Sequence, residues 1–109
     1  MAFLGDMVLE NVSAPGTSTF QLGGAPAGRI TFGLVFTNGQ HVYYVATDGT
    51  QTEIGIGTFA IGSPNTISRD TVIFTSAQGY TSPTKRNFSG ATRVYTGIPA
   101  TKALYVDNF

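Results

Sequence analysis

Residues 41–59, HVYYVATDGTQTEIGIGTF, constrain this chain more than any other stretch, because side-chain alternation, β-branched content and turn chemistry agree there. Val42, Tyr44 and Ala46 alternate with Tyr43, Val45 and Thr47, as on a pleated surface. Asp48-Gly49 then supplies a dipeptide suited to the positive φ of a type I′ turn, and Glu53 to Phe59 resumes an extended pattern. The stretch is predicted to be a β-hairpin. With two or four loop residues, Tyr43 and Val45 share a face with Ile54 and Ile56, and that face is the expected core. Val42, Tyr44 and Ala46 then oppose Glu53, Gly55, Gly57 and Phe59, with a tyrosine ring lying over bare glycine backbone. A three-residue loop exchanges the two faces.

Elsewhere, short apolar runs alternate with turn residues. Asp6 to Val12 reads as a strand, Ala14-Pro15-Gly16 as a turn, and Thr17 to Leu22 as a second strand with Ser18, Phe20 and Leu22 on one side. Gly23 to Gly28 interrupts the pattern. Ile30 to Phe36 is nearly continuous in apolar residues, so periodicity does not separate a buried strand from a helical turn; it is assigned as extended. Asn38-Gly39 marks a turn into the central hairpin. Thr66 to Thr75 is expected to be a strand with a bend at Arg69-Asp70, and Ser76 to Lys85 an irregular segment with Tyr80 at its middle. Thr92 to Ile98 and Ala103 to Val106 are closing strands on either side of Pro99.

Gly (14), Thr (16) and Ser (7) make up a third of the 109 residues while helix formers are scarce, which selects an all-β class. The expected architecture is an antiparallel β-sandwich or small β-barrel of about eight short strands. It comprises one β domain at 6–109 preceded by an apolar N-terminal arm at 1–5, which either tucks onto its own domain or docks on a partner. The arm has no basic n-region and is cut short by Asp6, so a secretory signal is not expected, and no run reaches the length of a membrane span. The sequons at Asn11 and Asn87 are read as accidental.

Formal net charge is zero and 11% of residues are charged, so counterion release would contribute little and nucleic acid is not an expected ligand. The absence of cysteine excludes disulfides, thiolate metal sites and a cysteine nucleophile. His41 is the single histidine, and Asp6, Glu10, Asp48, Glu53, Asp70 and Asp107 are dispersed without metal-ligand spacing. Gly55-Ile56-Gly57 lies inside a strand pattern with no helix after it, so it does not read as a dinucleotide loop. Arg69 and Asp70, adjacent in an extended segment, point to opposite faces and are expected to have separate structural partners. No catalytic, cofactor-binding or metal-binding residues are assigned, and no enzyme activity is expected. The candidate contacts with a partner are apolar and aromatic: Met1, Phe3, Leu4, Tyr44, Phe59, Tyr80 and Phe109.

Several motifs recur in a known order. They are Asp6-x-Val8-x-Glu10, Gly16-Thr17-x-Thr19-Phe20-x-Leu22-x-Gly24-Ala25-x-x-Gly28, Val42-Tyr43-Tyr44, Asp48-Gly49-Thr50-x-x-Glu53-x-Gly55-x-Gly57-Thr58-Phe59, Thr66-Ile67-Ser68-Arg69-Asp70-Thr71-Val72 and Pro99-Ala100-x-Lys102-Ala103. Across nearly the whole chain this resembles a virion structural domain of tailed bacteriophages, similar to the N-terminal particle-attachment domain of tail-fibre-like proteins. Two departures are a longer Ser76 to Lys85 segment and a chain that stops at Phe109, where fibre-like relatives continue. The resemblance implies a virion location after assembly in the host cytoplasm. It also implies contacts with coat, tail or fibre proteins, and it transfers no catalytic residue. A capsid decoration (cement) protein and a tail, baseplate or fibre-anchoring component are both expected readings, with a homo-oligomer such as a trimer multiplying weak contacts.

Overall fold

The central hairpin forms as the alternation predicts, and the rest of the sheet is built outward from it. A computed structural model describes residues 2–97. It contains β1 (Leu9–Val12), β2 (Phe20–Gln21), a 3-10 turn (Phe32–Leu34), β3 (His41–Thr47), β4 (Thr52–Ala60), β5 (Thr66–Ile67), β6 (Thr71–Thr75) and β7 (Thr92–Tyr95). All strand pairings are antiparallel, in the order β1-β7-β3-β4-β5-β2 with β6 also on β4. The long strand β4 pairs with β6 through Glu53–Ile56 and with β5 through Phe59–Ala60, on the edge away from β3. The sheet curls into a half-barrel, and there is no α-helix among the described residues. The expected strand Ala103 to Val106, with Pro99, Met1 and Phe109, lies outside the described residues.

The hairpin loop holds four residues, Asp48 to Gln51. The predicted register follows: Tyr43 faces Ile56, Val45 faces Ile54 and Tyr44 faces Gly55. The turn is not type I′, because only Gly49 takes a positive φ (96°). Asp48 closes the loop with its side chain instead, Oδ1 accepting from the Thr50 and Gln51 backbone N–H groups and the Thr50 hydroxyl, each at 2.9 Å. Those donors, led by the backbone N–H of Gln51, hold the Asp48 carboxyl down at about 2. Since the folded value is the depressed one, the stabilisation is present above the unfolded carboxyl's value near 4 and is lost as pH falls toward 2. Asp48→Ala is expected to flatten the pH dependence of the melting temperature in that window, measured by scanning calorimetry.

The core lies on the other face of the hairpin from the one expected. Val42, Tyr44, Ala46, Glu53 and Phe59 are buried with Gly55 and Gly57, while Tyr43, Ile54 and Ile56 are half-buried on the outer face. Val45 is shielded on that outer face, where a Gly97 Cβ would lie 2.8 Å from its Cγ2. The outer row runs Tyr95, Val45, Ile54, Phe74 across four strands, so this sheet is apolar on both sides. Sequence apolarity therefore did not distinguish them; packing did. Phe32, Phe36 and Phe59 stack at one end of the core, and Phe20, Tyr44 and Phe88 meet at the other. Val42→Asp is accordingly expected to abolish a stable fold by burying an unpaired charge. Ile54→Asp, which the inverted assignment would make comparably severe, should cost only about 1–2 kcal/mol. Urea denaturation of the two variants distinguishes the faces.

Three further expectations change. Ile30 to Phe36 is not extended: Ile30 makes a parallel bridge to Val8 and residues 32–34 coil, which sends both Phe32 and Phe36 into the core at helical spacing with centroids 5.8 Å apart. The first strand begins at Leu9, because Met7 takes a left-handed backbone (φ 60°) that no strand tolerates. The second is confined to Phe20–Gln21; of the three residues expected on one side, Phe20 and Leu22 are buried and Ser18 is exposed. Thr66 to Thr75 is a bent strand in outline, broken at residues 68–70.

Candidate functional site

Two groups of residues have site-like character, a buried ionic cluster and an exposed apolar surface. The first begins with Glu53 on β4, which alternation alone places beside Gly55 and Gly57. Both glycines are bare because chain crosses them: a Gly55 Cβ would lie 2.3 Å from the Thr71 carbonyl oxygen and 2.7 Å from the Tyr44 hydroxyl, and a Gly57 Cβ 2.0 Å from the Ser68 oxygen. The expected ring over glycine backbone is Tyr44 over Gly55. The close crossing of residues 68–71 delivers Arg69 to Glu53, and both side chains are fully buried.

Every polar position of this pair is filled. Glu53 Oε2 accepts from the Tyr44 hydroxyl at 2.6 Å and from Arg69 Nε at 2.9 Å, and Oε1 accepts from an Arg69 terminal nitrogen and from the Arg86 backbone N–H at 2.7 Å. The remaining Arg69 donors go to the carbonyls of Gly16 (2.8 Å), Ser18 (3.0 Å) and Arg86 (2.7 Å). That accounts for all five guanidinium donors and about four carboxylate lone pairs. The Phe20 and Phe88 rings lie 4.7 and 5.5 Å from the guanidinium carbon, completing a low-dielectric enclosure. Burial, reinforced by the Glu53 carboxylate, raises the Tyr44 hydroxyl well above the ordinary tyrosine range and keeps it a donor. With its guanidinium protons and carboxylate lone pairs engaged inside the fold, the cluster staples β3, β4 and three loops. Glu10 is built similarly: its oxygens accept from the N–H groups of Gly24 (3.1 Å) and Phe32 (2.8 Å), tying β1 to the glycine-rich loop and the 3-10 turn.

Arg69 and Asp70 have separate partners, as their adjacency on extended backbone implied. Asp70 accepts from the Thr58 and Ser68 hydroxyls, both at 2.6 Å, and exposed His41 sits 3.1 Å from Thr58. This His41–Thr58–Asp70 chain was not legible from sequence, because hairpin register sets Thr58 opposite His41 while Asp70 arrives from the segment that crosses β4. An open groove of about 450 Å³ lies beside it, lined by Arg69, Asp70, Val72, Pro83, Thr84 and Lys85. Arg69 is fully engaged elsewhere and both Asp70 oxygens accept from hydroxyls, so among the described residues Lys85 is the groove's one charge without a partner. No three His, Cys, Asp or Glu side chains converge on a metal position among the described residues.

Of the candidate partner contacts, Phe3 (43% exposed), Leu4 (48%) and Tyr80 (48%) are available at the surface. Tyr44 and Phe59 are not, since both are completely buried: Tyr44 is held by Glu53, and Phe59 by the Phe32 and Phe36 rings. They are corrected to core residues. Met1 and Phe109 lie outside the described residues. Tyr80 packs on Phe74 with ring centroids 5.0 Å apart. The structure adds Met7, Leu34, Val35 and Ile61 to the exposed apolar set. Leu34 and Val35 were hidden from sequence reading inside a run taken for a buried strand.

The segment expected to be an arm is tucked in its described part. Phe3 N–H donates to the His41 carbonyl at 2.8 Å and Tyr43 N–H to the Phe3 carbonyl at 3.1 Å, while Gly5 exchanges hydrogen bonds with the Thr96 hydroxyl. This covers the edge of β3 that β7 leaves unpaired. No helix of the described residues is long and apolar enough to cross a membrane. Comparison of the chain with protein-family models, with curated proteins and with solved structures finds no match to any of them.

Proposed function

We propose that the chain is a non-enzymatic structural component of a tailed-bacteriophage particle, a small capsid decoration protein that stabilises the shell through many copies. The motif order described above supports this reading, and so does the use the fold makes of those motifs. Asp48, Glu53, Gly55, Gly57, Arg69 and Glu10 are all engaged in closing loops or stapling strands. The observation that carries the proposal is the exposure of large apolar side chains, Phe3, Leu4, Leu34, Ile61 and Tyr80 among them, on a chain with zero net charge. Such a surface favours short-range contact with coat subunits and gives no long-range attraction to polyanions. Oligomerisation, a trimer in the simplest closed form, would multiply individually weak contacts.

A tail, baseplate or fibre-anchoring role is the alternative, favoured by the likeness of the motif order to particle-attachment domains. Densitometry of purified particles separates the two: hundreds of copies per particle place the chain on the shell, and tens or fewer on the tail. Attachment that rests on apolar burial should also survive moderate sodium chloride, and release by salt would count against both. His41→Ala should leave assembly and infectivity unchanged. Deleting residues 1–4 should weaken attachment; it should also lower the melting temperature of the isolated chain, because Phe3 is hydrogen-bonded to β3.

A further inference from the structure

We infer that residues 2–5 form an exchangeable segment, which docks on the β3 edge of its own molecule and, where copies are crowded, on the same edge of a second copy. The inference stands on backbone geometry and is independent of the virion reading. The segment is held at two points, the Phe3 bridge to Val42 and the Gly5–Thr96 pair, and Phe3 and Leu4 keep nearly half their surface in water. From Met7 onward the chain is fixed again, since Ile30 N–H donates to the Met7 carbonyl and Val8 bridges Ile30. Between Gly5 and the Met7 carbonyl the connection is Asp6 and the N-terminal half of Met7, both residues exposed, and Met7 carries the left-handed φ of 60° that a long unbranched side chain rarely adopts. A short, strained connection between two docked pieces is the setting in which an element passes to a neighbour at low cost, because every contact made within one molecule is remade between two.

The surroundings of the hinge supply the second part of the argument. Met7, Leu34 and Val35 are 58%, 74% and 40% exposed, and Val35 Cγ1 lies 3.0 Å from where a Gly5 Cβ would be. Two residues span only about 7 Å, so an acceptor copy must place its β3 edge directly beside the donor's hinge. That approach covers Met7 and Val35, an apolar gain the closed monomer lacks. A tethered segment competes at an effective concentration of about 1 mM, so dilute protein keeps its own segment and an array of closely held copies does not. The occupant of the edge is a second copy, because the acceptor already fits this segment.

The chain has no cysteine, so introduced pairs report the geometry cleanly. A dilute single chain carrying both Phe3→Cys and Val42→Cys is expected to form an internal disulfide, showing that the pair fits the fold. Separate Phe3→Cys and Val42→Cys chains, distinguished by a tag and mixed at about millimolar concentration under mild oxidation, are then expected to give a heterodimer on non-reducing gels. Its yield should be at least tenfold above that from Phe3→Cys mixed with Ile61→Cys, which is exposed but unpaired with the segment. An internal disulfide in the double variant together with equal heterodimer yields in the two mixtures would overturn the inference. Failure of the internal disulfide would remove the bridge on which it rests.

Discussion

Arg69→Met is expected to lower the unfolding free energy by about 3–5 kcal/mol. The loss is not the attraction of one ion pair. Removing the guanidinium leaves Glu53 charged at full burial with two of its four donors gone, and leaves the Gly16, Ser18 and Arg86 carbonyls without the side chain that gathers them. Glu53→Gln should also be costly, since the amide nitrogen that replaces one carboxylate oxygen turns donors toward one Arg69 nitrogen and toward either the Tyr44 hydroxyl or the Arg86 N–H. Together the changes should cost less than their sum, with a coupling of at least about 1 kcal/mol, because each single variant strands the other partner. Urea denaturation of the parent, the two single variants and the double variant measures the cycle. Strict additivity would mean that the cluster does not act as a unit.

Gly57→Ala is the second. A methyl group there would sit 2.0 Å from the Ser68 carbonyl oxygen and 2.7 Å from Ile67 Cγ2, and one of these obstacles is backbone that cannot rotate away. The β4 strand and the crossing segment must separate, which shifts Arg69 out of reach of Glu53 as well as opening the core. The expected cost is about 3 kcal/mol or more, at the upper end for overpacking. Gly90→Ala is the matched control: nothing lies within 4 Å of its Cβ position, and the substitution should be neutral or slightly stabilising. Equal thermal stability of the two variants would show that the crossing is looser than described.

The hairpin at 41–60 was legible because strand periodicity is a local property: each side chain alternates regardless of what covers it, and the parity of the loop fixed Tyr43 opposite Ile56 and Tyr44 opposite Gly55. The all-β class, the turn at Asp48-Gly49, the bend at Arg69-Asp70 and the ring over Gly55 were legible for the same reason. Which face of the hairpin is inside was not. Both faces are apolar enough to be buried, and the decision came from a distant segment, residues 68–71, crossing the glycines and bringing a charge that satisfies Glu53. Read differently, Gly55 and Gly57 held the clue, since bare backbone on one face signals close approach of another chain, and close approach happens inside.

The same division separates the other successes from the corrections. Asp6 to Val12 has a strand pattern, but a left-handed Met7 shortens it, and backbone handedness at a non-glycine residue is imposed by packing on both sides. Ile30 to Phe36 looked extended because a continuous apolar run carries no period; the Glu10 carboxylate on β1, accepting from Phe32 N–H, selects the coil. Tyr44 and Phe59 were candidate contacts on composition and became core residues once β2 and the 3-10 turn closed over them. The sequence by itself determined the local choices of strand, turn and pairing parity, because these depend on neighbours a few residues away. The tertiary structure alone decided which surface is core and which is left for a partner, because burial is settled by segments far apart in the chain.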